Sequence, residues 1–393
     1  MFVRPLVADL LRALQRHGWV HVLVGARQTG KSTAARQIAA RWRGPVVLAS
    51  ADRARPPGSE WIETHWSRAR RAVVGRRGPT VLLVLDEAQK VRGWSEAVKA
   101  LWEEDRLAGA RVRALLLGSS ALLVQQGLTE SLAGRFLLHR CPHWSFTECE
   151  AAFGWNLDRW LFFGGYPGAA GLIRDEEAWR SYVADSLVET AIARDVLALQ
   201  PVTKPALLRQ LFGLAADHPA EILSYTKMVG TLHDAGNTVT LAHYLRLLDA
   251  CFLVSGLERT SAGVRSRGST PKIVLWNNAL TNALGGMTFR EARDQPDAWG
   301  RIVENAYGAH LLNHLPRPRF RVEYWRERNF EVDYVVTAGR KRVALEVKSG
   351  RPERPLGLEA FQRRFPSARA MLIGSGGIPL DEAFRDDPAG YLG

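Results

Sequence analysis

The sequence predicts an α/β fold built in several parts, and three observations predict it. An apolar strand, a Gly-bounded loop and a helix follow one another in "WVHVLVGARQTGKSTAARQIAARW" (19–42). A second apolar strand ending in two acids follows in "TVLLVLDEAQ" (80–89), and near the C-terminus the short strands "EVDYVV" and "RVALEVKS" carry acids and a lysine at matching ends. At 393 residues and 43.7 kDa the chain is long enough for two or three domains, each with its own core. An apolar content of 46% excludes wholesale disorder.

The opening "MFVRPLVADLLRALQR" reads as an amphipathic helix, because its charges are scattered where a signal peptide keeps an uninterrupted apolar core. No apolar run approaches the roughly 20 residues of a membrane span, so no membrane partner is expected. The net charge of +13 and a pI of about 10.1 favour polyanions such as nucleic acid. The bias is mostly arginine, 45 of the 53 basic residues, and base composition or thermal adaptation can produce that skew as well. Cys141, Cys149 and Cys251 make no close metal-ligand spacing and predict a reduced, cytoplasmic chain.

The strand and helix at 19–42 flank the pattern G-x-x-x-x-G-K-[ST], filled by Gly25, Gly30, Lys31 and Ser32. In such a loop successive backbone N–H groups and a helix N-terminus cradle phosphates, the lysine reaches the β and γ oxygens, and the hydroxyl binds magnesium. Gln28, Thr29 and Thr33 belong to the same nucleotide-binding stretch, and ATP with Mg²⁺ is the expected ligand. Glycine is expected at both ends because a side chain would keep the backbone away from phosphate. In the second strand Asp86 is placed to hold the magnesium through water, and Glu87 to polarise the attacking water. A third strand, "RALLLGSS" (113–120), ends in Ser119 and Ser120. A hydroxyl there can touch the γ-phosphate or cap a helix, and both readings stay open.

"GARQTGKST", "VLLVLDEAQ", "LLLGSSALL", and "SLAGRF" followed by "WSFTE" resemble the prokaryotic AAA+ type P-loop ATPases whose C-terminal part is the domain DUF4143. The resemblance covers nearly the whole chain. It implies a homo-oligomer, with a ring among the forms open to it, in which an arginine from a neighbouring subunit completes the site; Arg135 of "SLAGRF" matches that place. "LFFGGYPGAAGL" (161–172) looks like the G-x-P element of related lids. "AWRSYVADSLVETAIARDVL" (178–197) has helical spacing and ends in Arg194 and Asp195, which match a recurrent pair of the family. Arg194 is thereby a nucleotide sensor by resemblance, although an arginine at a helix C-terminus also has a dipole reason to be there.

"SYTKMVGTLHDAGNTVTLAHYLRLLDACFLVSGLERT" (224–260) reads as a helix, a tight turn at Gly236 and Asn237, a second helix from Thr238 and a strand. Thr238, Thr240, His243 and Arg246 take the polar positions of the second helix. Arg265, Arg267 and Lys272 lie in a basic loop that returns as the wing of a winged helix, a module that contacts DNA or docks protein.

In the C-terminal part, Glu304 lies on the helix "GRIVENAYGAHLL" (300–312), and Asp333, Glu346 and Lys348 share one strand face because side chains alternate along strands. Glu, Asp, then Glu-x-Lys in this order resembles the restriction-endonuclease-like fold, with Gln362 at a polar position that the superfamily often fills. The resemblance implies that Glu304, Asp333 and Glu346 hold one or two Mg²⁺ while Lys348 orients the attacking water. Many proteins with this fold keep the acids without cutting.

The expected organisation is an ATPase domain over 1–160, a helical lid over 161–200, a winged-helix-like domain over 201–285 and a restriction-endonuclease-like domain over 286–393. The expected function is an ATP-hydrolysing motor that binds, remodels or translocates duplex or branched DNA, with the nuclease-like domain as a clamp. Two alternatives stand beside it: an ATP-gated, metal-dependent DNA nuclease, and an ATP-dependent switch that assembles with protein partners.

Overall fold

A computed structural model describes residues 2–52, 55, 57–73, 78–118, 132–197, 202–234, 236–261, 270–351 and 354–392. The chain divides into two compact units, Met1–Pro142 and His143–Gly393.

In the first unit, apolar runs become parallel strands because they are buried on both faces. After α1 (Pro5–Arg16) come β1 (Val20–Val24), α2 (Lys31–Ala39), β2 (Val46–Ser50), α3 (Glu60–Arg71), β3 (Val81–Asp86), α4 (Trp94–Ala108), β4 (Val112–Gly118) and β5 (Phe136–Arg140). The strands form a five-stranded sheet in the order β2-β3-β4-β1-β5, every pairing parallel. Alternation sorts their side chains: Val22, Val24, Leu83, Leu85 and Leu116 join Trp61, Trp66, Val98 and Trp102 of α3 and α4 on one face. Leu23, Leu82, Val84, Leu115 and Leu117 join Leu10, Leu14, Ala34 and Ile38 of α1 and α2 on the other. The loop after β1 and the acids ending β3 therefore open at the same edge of the sheet.

The second unit begins with α5 (Phe146–Phe153), α6 (Leu157–Phe163) and α7 (Glu176–Ser181). The helix expected over 178–197 continues past α7 as π-helical turns at Tyr182–Glu189 and Ile192–Val196. Next come α8 (Pro205–Asp217), α9 (Tyr225–Thr231), α10 (Thr238–Ala250), β6 (Val254–Leu257) and β7 (Lys272–Leu275). Gly236 takes φ +70°, and the Asn237 side chain caps α10 by accepting from Thr240 N–H at 2.9 Å. β6 and β7 are antiparallel, and Ile222 adds a bridge to Lys272, so helix, short extended bridge, two helices and hairpin follow in winged-helix order.

Beyond α11 (Ala279–Asn282) and α12 (Phe289–Asp294), α13 (Pro296–His314) leads into β8 (Arg321–Glu327), β9 (Phe330–Ala338), β10 (Lys341–Lys348), α14 (Leu356–Arg364), β11 (Arg369–Gly374) and α15 (Leu380–Arg385). The sheet order is β11-β10-β9-β8, antiparallel except for β10 beside β11.

The compact boundaries differ from those expected. Residues 143–160 pack in the second unit: Trp160 meets Phe384 edge to face at 5.1 Å, and Arg385 grips both oxygens of Glu150 at 2.5 and 2.7 Å. The expected break at 285/286 is bridged by Asn305, fully buried on α13, which bonds both the N–H and the carbonyl of Leu275 at 3.0 and 3.2 Å. The strand edges join as well, Thr260 N–H to the Tyr324 carbonyl at 2.7 Å and Tyr324 N–H to the Glu258 carbonyl at 3.1 Å.

Candidate functional site

The loop after β1 turns through Gln28 at φ +58° and Gly30 at φ +97° before α2 begins at Lys31. Gly25 has a reason other than the one expected: a Cβ there would collide with the Cys141 carbonyl, where the chain leaves β5. The Lys31 ammonium is nearly buried and donates to the carbonyls of Gly25 at 2.9 Å and Ala26 at 2.6 Å, curled over the loop where phosphate oxygens can take their place. Thr29 is buried and donates to the Ala26 carbonyl at 2.9 Å, while Gln28 is exposed and Thr33 half-buried.

Ser32 Oγ donates to Asp86 Oδ2 at 2.6 Å, which joins α2 to the end of β3 and sets a hydroxyl beside a carboxylate, the hard oxygen donors that magnesium prefers. Asp86 Oδ1 accepts from the Glu87 N–H at 2.9 Å, and Glu87 itself sits at φ +55°, a left-handed conformation uncommon for a side-chain-bearing residue. Burial pushes the Glu87 carboxyl above the usual range, against the pull of Lys90, Lys31 and Arg27. Gln89 Nε2 orients it from 2.9 Å.

Arg135 lies at the other end of the sheet. It precedes β5, whose Phe136 pairs with Val20 at the start of β1, and its Nε bonds Glu103 Oε1 at 2.7 Å. Within one chain it is therefore remote from the loop. Ser119, Ser120, Arg265 and Arg267 lie outside the described residues. Arg194 is exposed in the second unit, and its neighbour Asp195 is buried.

A second polar cluster forms on the C-terminal sheet. Leu345 pairs with Tyr334, so Glu346 comes level with Asp333 on the neighbouring strand, as expected. Lys348 Nζ pairs with Glu346 Oε1 at 3.2 Å. Gln362 is exposed on α14. The expectation for Lys272 is overturned: instead of reaching outward from a wing it is fully buried, with Nζ at 2.6 Å from Glu304 Oε1, 3.3 Å from Glu331 Oε1 and 3.4 Å from Asp333 Oδ1. Its position as the first residue of β7 turns it inward, and the acids supply its counter-charge. They hold the Lys272 pKa well above its ordinary value despite desolvation. Burial and then the Asp333 charge push Glu304 up to about 8. Burial, followed by Asp333, also raises Glu346.

An AAA domain family matches residues 18–150, the span that holds the phosphate loop, Asp86 and Glu87. The chain is an ATPase with an AAA domain. A domain of unknown function, DUF4143, matches residues 299–380 of this ATPase, and another, DUF8612, matches 154–291. Comparison with curated proteins found no match. Among solved structures the ATPase is similar to a Walker-type ATPase of Pyrococcus abyssi at 15% identity, covering 72% of this chain and 96% of that one with a TM-score of 0.47. It is also similar to AMPPCP-bound DnaA from Aquifex aeolicus (16% identity, 63% and 89% covered, TM-score 0.32). The RuvB Holliday junction branch migration motor of Thermotoga maritima is a third (13%, 66% and 91%, 0.33).

One residue that supports the ATPase loop carried no sequence signal. Arg4, buried at the start of α1, donates to the Thr29 carbonyl at 3.0 Å and approaches Cys141 Sγ at 3.2 Å, so it props the loop from behind. No helix among the described residues is long and apolar enough to cross a membrane.

Proposed function

We propose that this ATPase works as a homo-oligomer that couples hydrolysis of Mg²⁺-ATP to gripping and remodelling DNA, with its C-terminal α/β part as a clamp. The loop from Gly25 to Thr33 holds the phosphates, and Lys31 exchanges its two loop carbonyls for β and γ oxygens. Ser32 and Asp86 hold the magnesium, which when bound offsets phosphate charge. Glu87 orients and deprotonates the attacking water; its raised pKa brings a carboxylate closer to the neutral range in which a general base works well. Arg135 acts on a neighbouring subunit's nucleotide after leaving Glu103, and the Ser119 hydroxyl and Arg194 serve as sensors.

The observation that carries DNA binding is α10. Asn237 caps it, Leu241, Tyr244, Leu245 and Leu248 bury its inner side, and Thr238, Val239 and Arg246 stay exposed beside half-buried Thr240 and His243. A chain of net charge +13 presents that face to a polyanion. Fluorescence anisotropy of a labelled duplex across a salt series tests the reading. Affinity should fall steeply with salt, and Arg246→Ala should weaken binding and flatten the slope by about one unit per lost phosphate contact. Absence of binding at low salt, with and without ATP, would leave DNA out of the function and favour a switch that assembles with protein.

A further inference from the structure

The fold resemblance of the C-terminal part implies a divalent ion among Glu304, Asp333 and Glu346, and the residues present do not fit one. Four of the six carboxylate oxygens of these residues are engaged. Glu304 Oε1 and Asp333 Oδ1 lie at 2.6 and 3.4 Å from the Lys272 ammonium, and Asp333 Oδ2 accepts from the Val347 N–H at 2.8 Å. Glu346 Oε1 is paired with Lys348 at 3.2 Å, which leaves Glu346 Oε2 as a buried oxygen with no hydrogen-bond partner. Magnesium keeps most of its waters and takes one or two carboxylates, but an ion shared between Glu304 and Asp333 would sit against the Lys272 ammonium, whose charge opposes it. Among the described residues no group of three His, Cys, Asp or Glu side chains is arranged to hold a metal ion.

The cation already present is delivered by a strand that cannot readily withdraw it. Lys272 pairs with Leu257 in the hairpin ladder and bridges Ile222 on its other side. Three residues on, Asn305 clamps both backbone groups of Leu275. The Tyr334 ring closes over the ammonium at 5.2 Å, and the Tyr334 hydroxyl is itself tied to the Glu304 carbonyl at 2.7 Å. Around it stand Glu304 from α13, Glu331 and Asp333 from β9, Glu346 and Lys348 from β10, and Arg326 from β8 at 4.0 Å from Glu331.

We propose that Lys272 is the resident cation of this acid cluster, filling the place of a divalent ion, and that the cluster is an electrostatic lock fastening the winged-helix hairpin to the C-terminal sheet. The nuclease-like frame then carries no metal-dependent cleavage. Force applied to α10 passes through β7 to that sheet without a metal hinge. A buried ammonium among carboxylates is costly to break from one side, because removing it strands the acids in a medium that solvates them poorly.

Two measurements on the full chain without nucleotide test the lock independently of ATP hydrolysis. Mn²⁺ titration followed by electron paramagnetic resonance should give the same curve for the wild type and Asp333→Asn, any binding at Ser32 and Asp86 being common to both. A site in the wild type that Asp333→Asn loses would overturn the proposal. In thermal unfolding, Lys272→Met should melt roughly 10 °C lower. Millimolar Mn²⁺ should recover part of that loss in Lys272→Met but not in Lys272→Met combined with Asp333→Asn, because the vacated carboxylates then accept the ion. Lys272→Met melting with the wild type would overturn the lock, and if the variant fails to fold, the resonance comparison decides alone.

Discussion

Glu87, the proposed base of the nucleotide site, is a residue whose backbone is left-handed and whose carboxyl is raised by burial. Glu87→Gln keeps the shape and removes the base, so ATP should still bind while hydrolysis falls by about 10²–10⁴-fold, the usual worth of a general base. Turnover at saturating ATP together with retained nucleotide checks this, and unchanged turnover would remove Glu87 from the role. His21 makes a different prediction at the same scale. It is fully buried in β1, stacks on His139, and its Nδ1 lies 3.0 Å from His139 Nε2. Burial, reinforced by the His139 charge and only partly opposed by the His17 carbonyl, lowers its pKa to about 4. The unfolded chain takes up that proton near the ordinary 6.5 and the folded chain does not. Stability should therefore hold above pH 6.5 and fall as pH drops from there towards 4. Melting temperatures at pH 7.5 and 5 check the sign: His21→Leu should shrink the difference that the wild type shows.

At the scale of elements, α13 is held against β9 through Gly308. A Cβ there would sit 2.5–2.8 Å from the Tyr334 ring and hydroxyl. Alanine is the better helix former by about 1 kcal/mol, whereas forcing a methyl group into a packed contact costs about 1–3 kcal/mol. Packing should win, so Gly308→Ala should lower the melting temperature by a few degrees; a rise would show that the ring yields easily. The same helix explains how one reading of the sequence went wrong. Lys272 follows a Gly/Ser-rich basic loop and reads as one more wing cation, yet it is the first residue of a strand whose inner side faces the acids of α13 and β9. Loop composition reports the average environment of a segment, and the hydrogen-bond ladder decides the direction of each side chain within it.

At the scale of the whole molecule the proposal concerns assembly. Arg135 is at the opposite end of the sheet from its own loop and is paired with Glu103, so the role proposed for it at a nucleotide is one played on a neighbouring subunit. Mixing Arg135→Ala subunits with Lys31→Ala subunits should restore part of the ATPase activity, since a mixed oligomer contains sites with an intact loop and an intact arginine. Turnover measured beside native mass, which confirms mixing, checks this; mixed oligomers without recovery would reduce Arg135 to a partner of Glu103.

What the sequence determined by itself is local in origin. The strand, loop and helix around Gly25–Ser32 follow from apolar runs and glycines within a few residues of one another, and the two acids at the end of β3 need only the alternation of that strand. Gly236 and Asn237 mark the turn before α10 because a left-handed glycine and a side-chain cap are short-range chemistry. The level placement of Asp333 and Glu346 was legible too, since a tight turn at Gly339 sets the register of the hairpin. Tertiary structure alone decided the rest. Cys141 demands glycine at position 25, Arg4 props the loop at Thr29, and residues 143–160 join the second unit through Trp160 and Arg385. Lys272 meets Glu304 and Asp333 because β7, α13 and β9 pack together. These partners are far apart along the chain, and a buried ion pair between distant segments leaves no periodic or spacing signal. Its attraction grows strong enough to offset the desolvation of both partners only in a low-dielectric core, which only the folded chain provides.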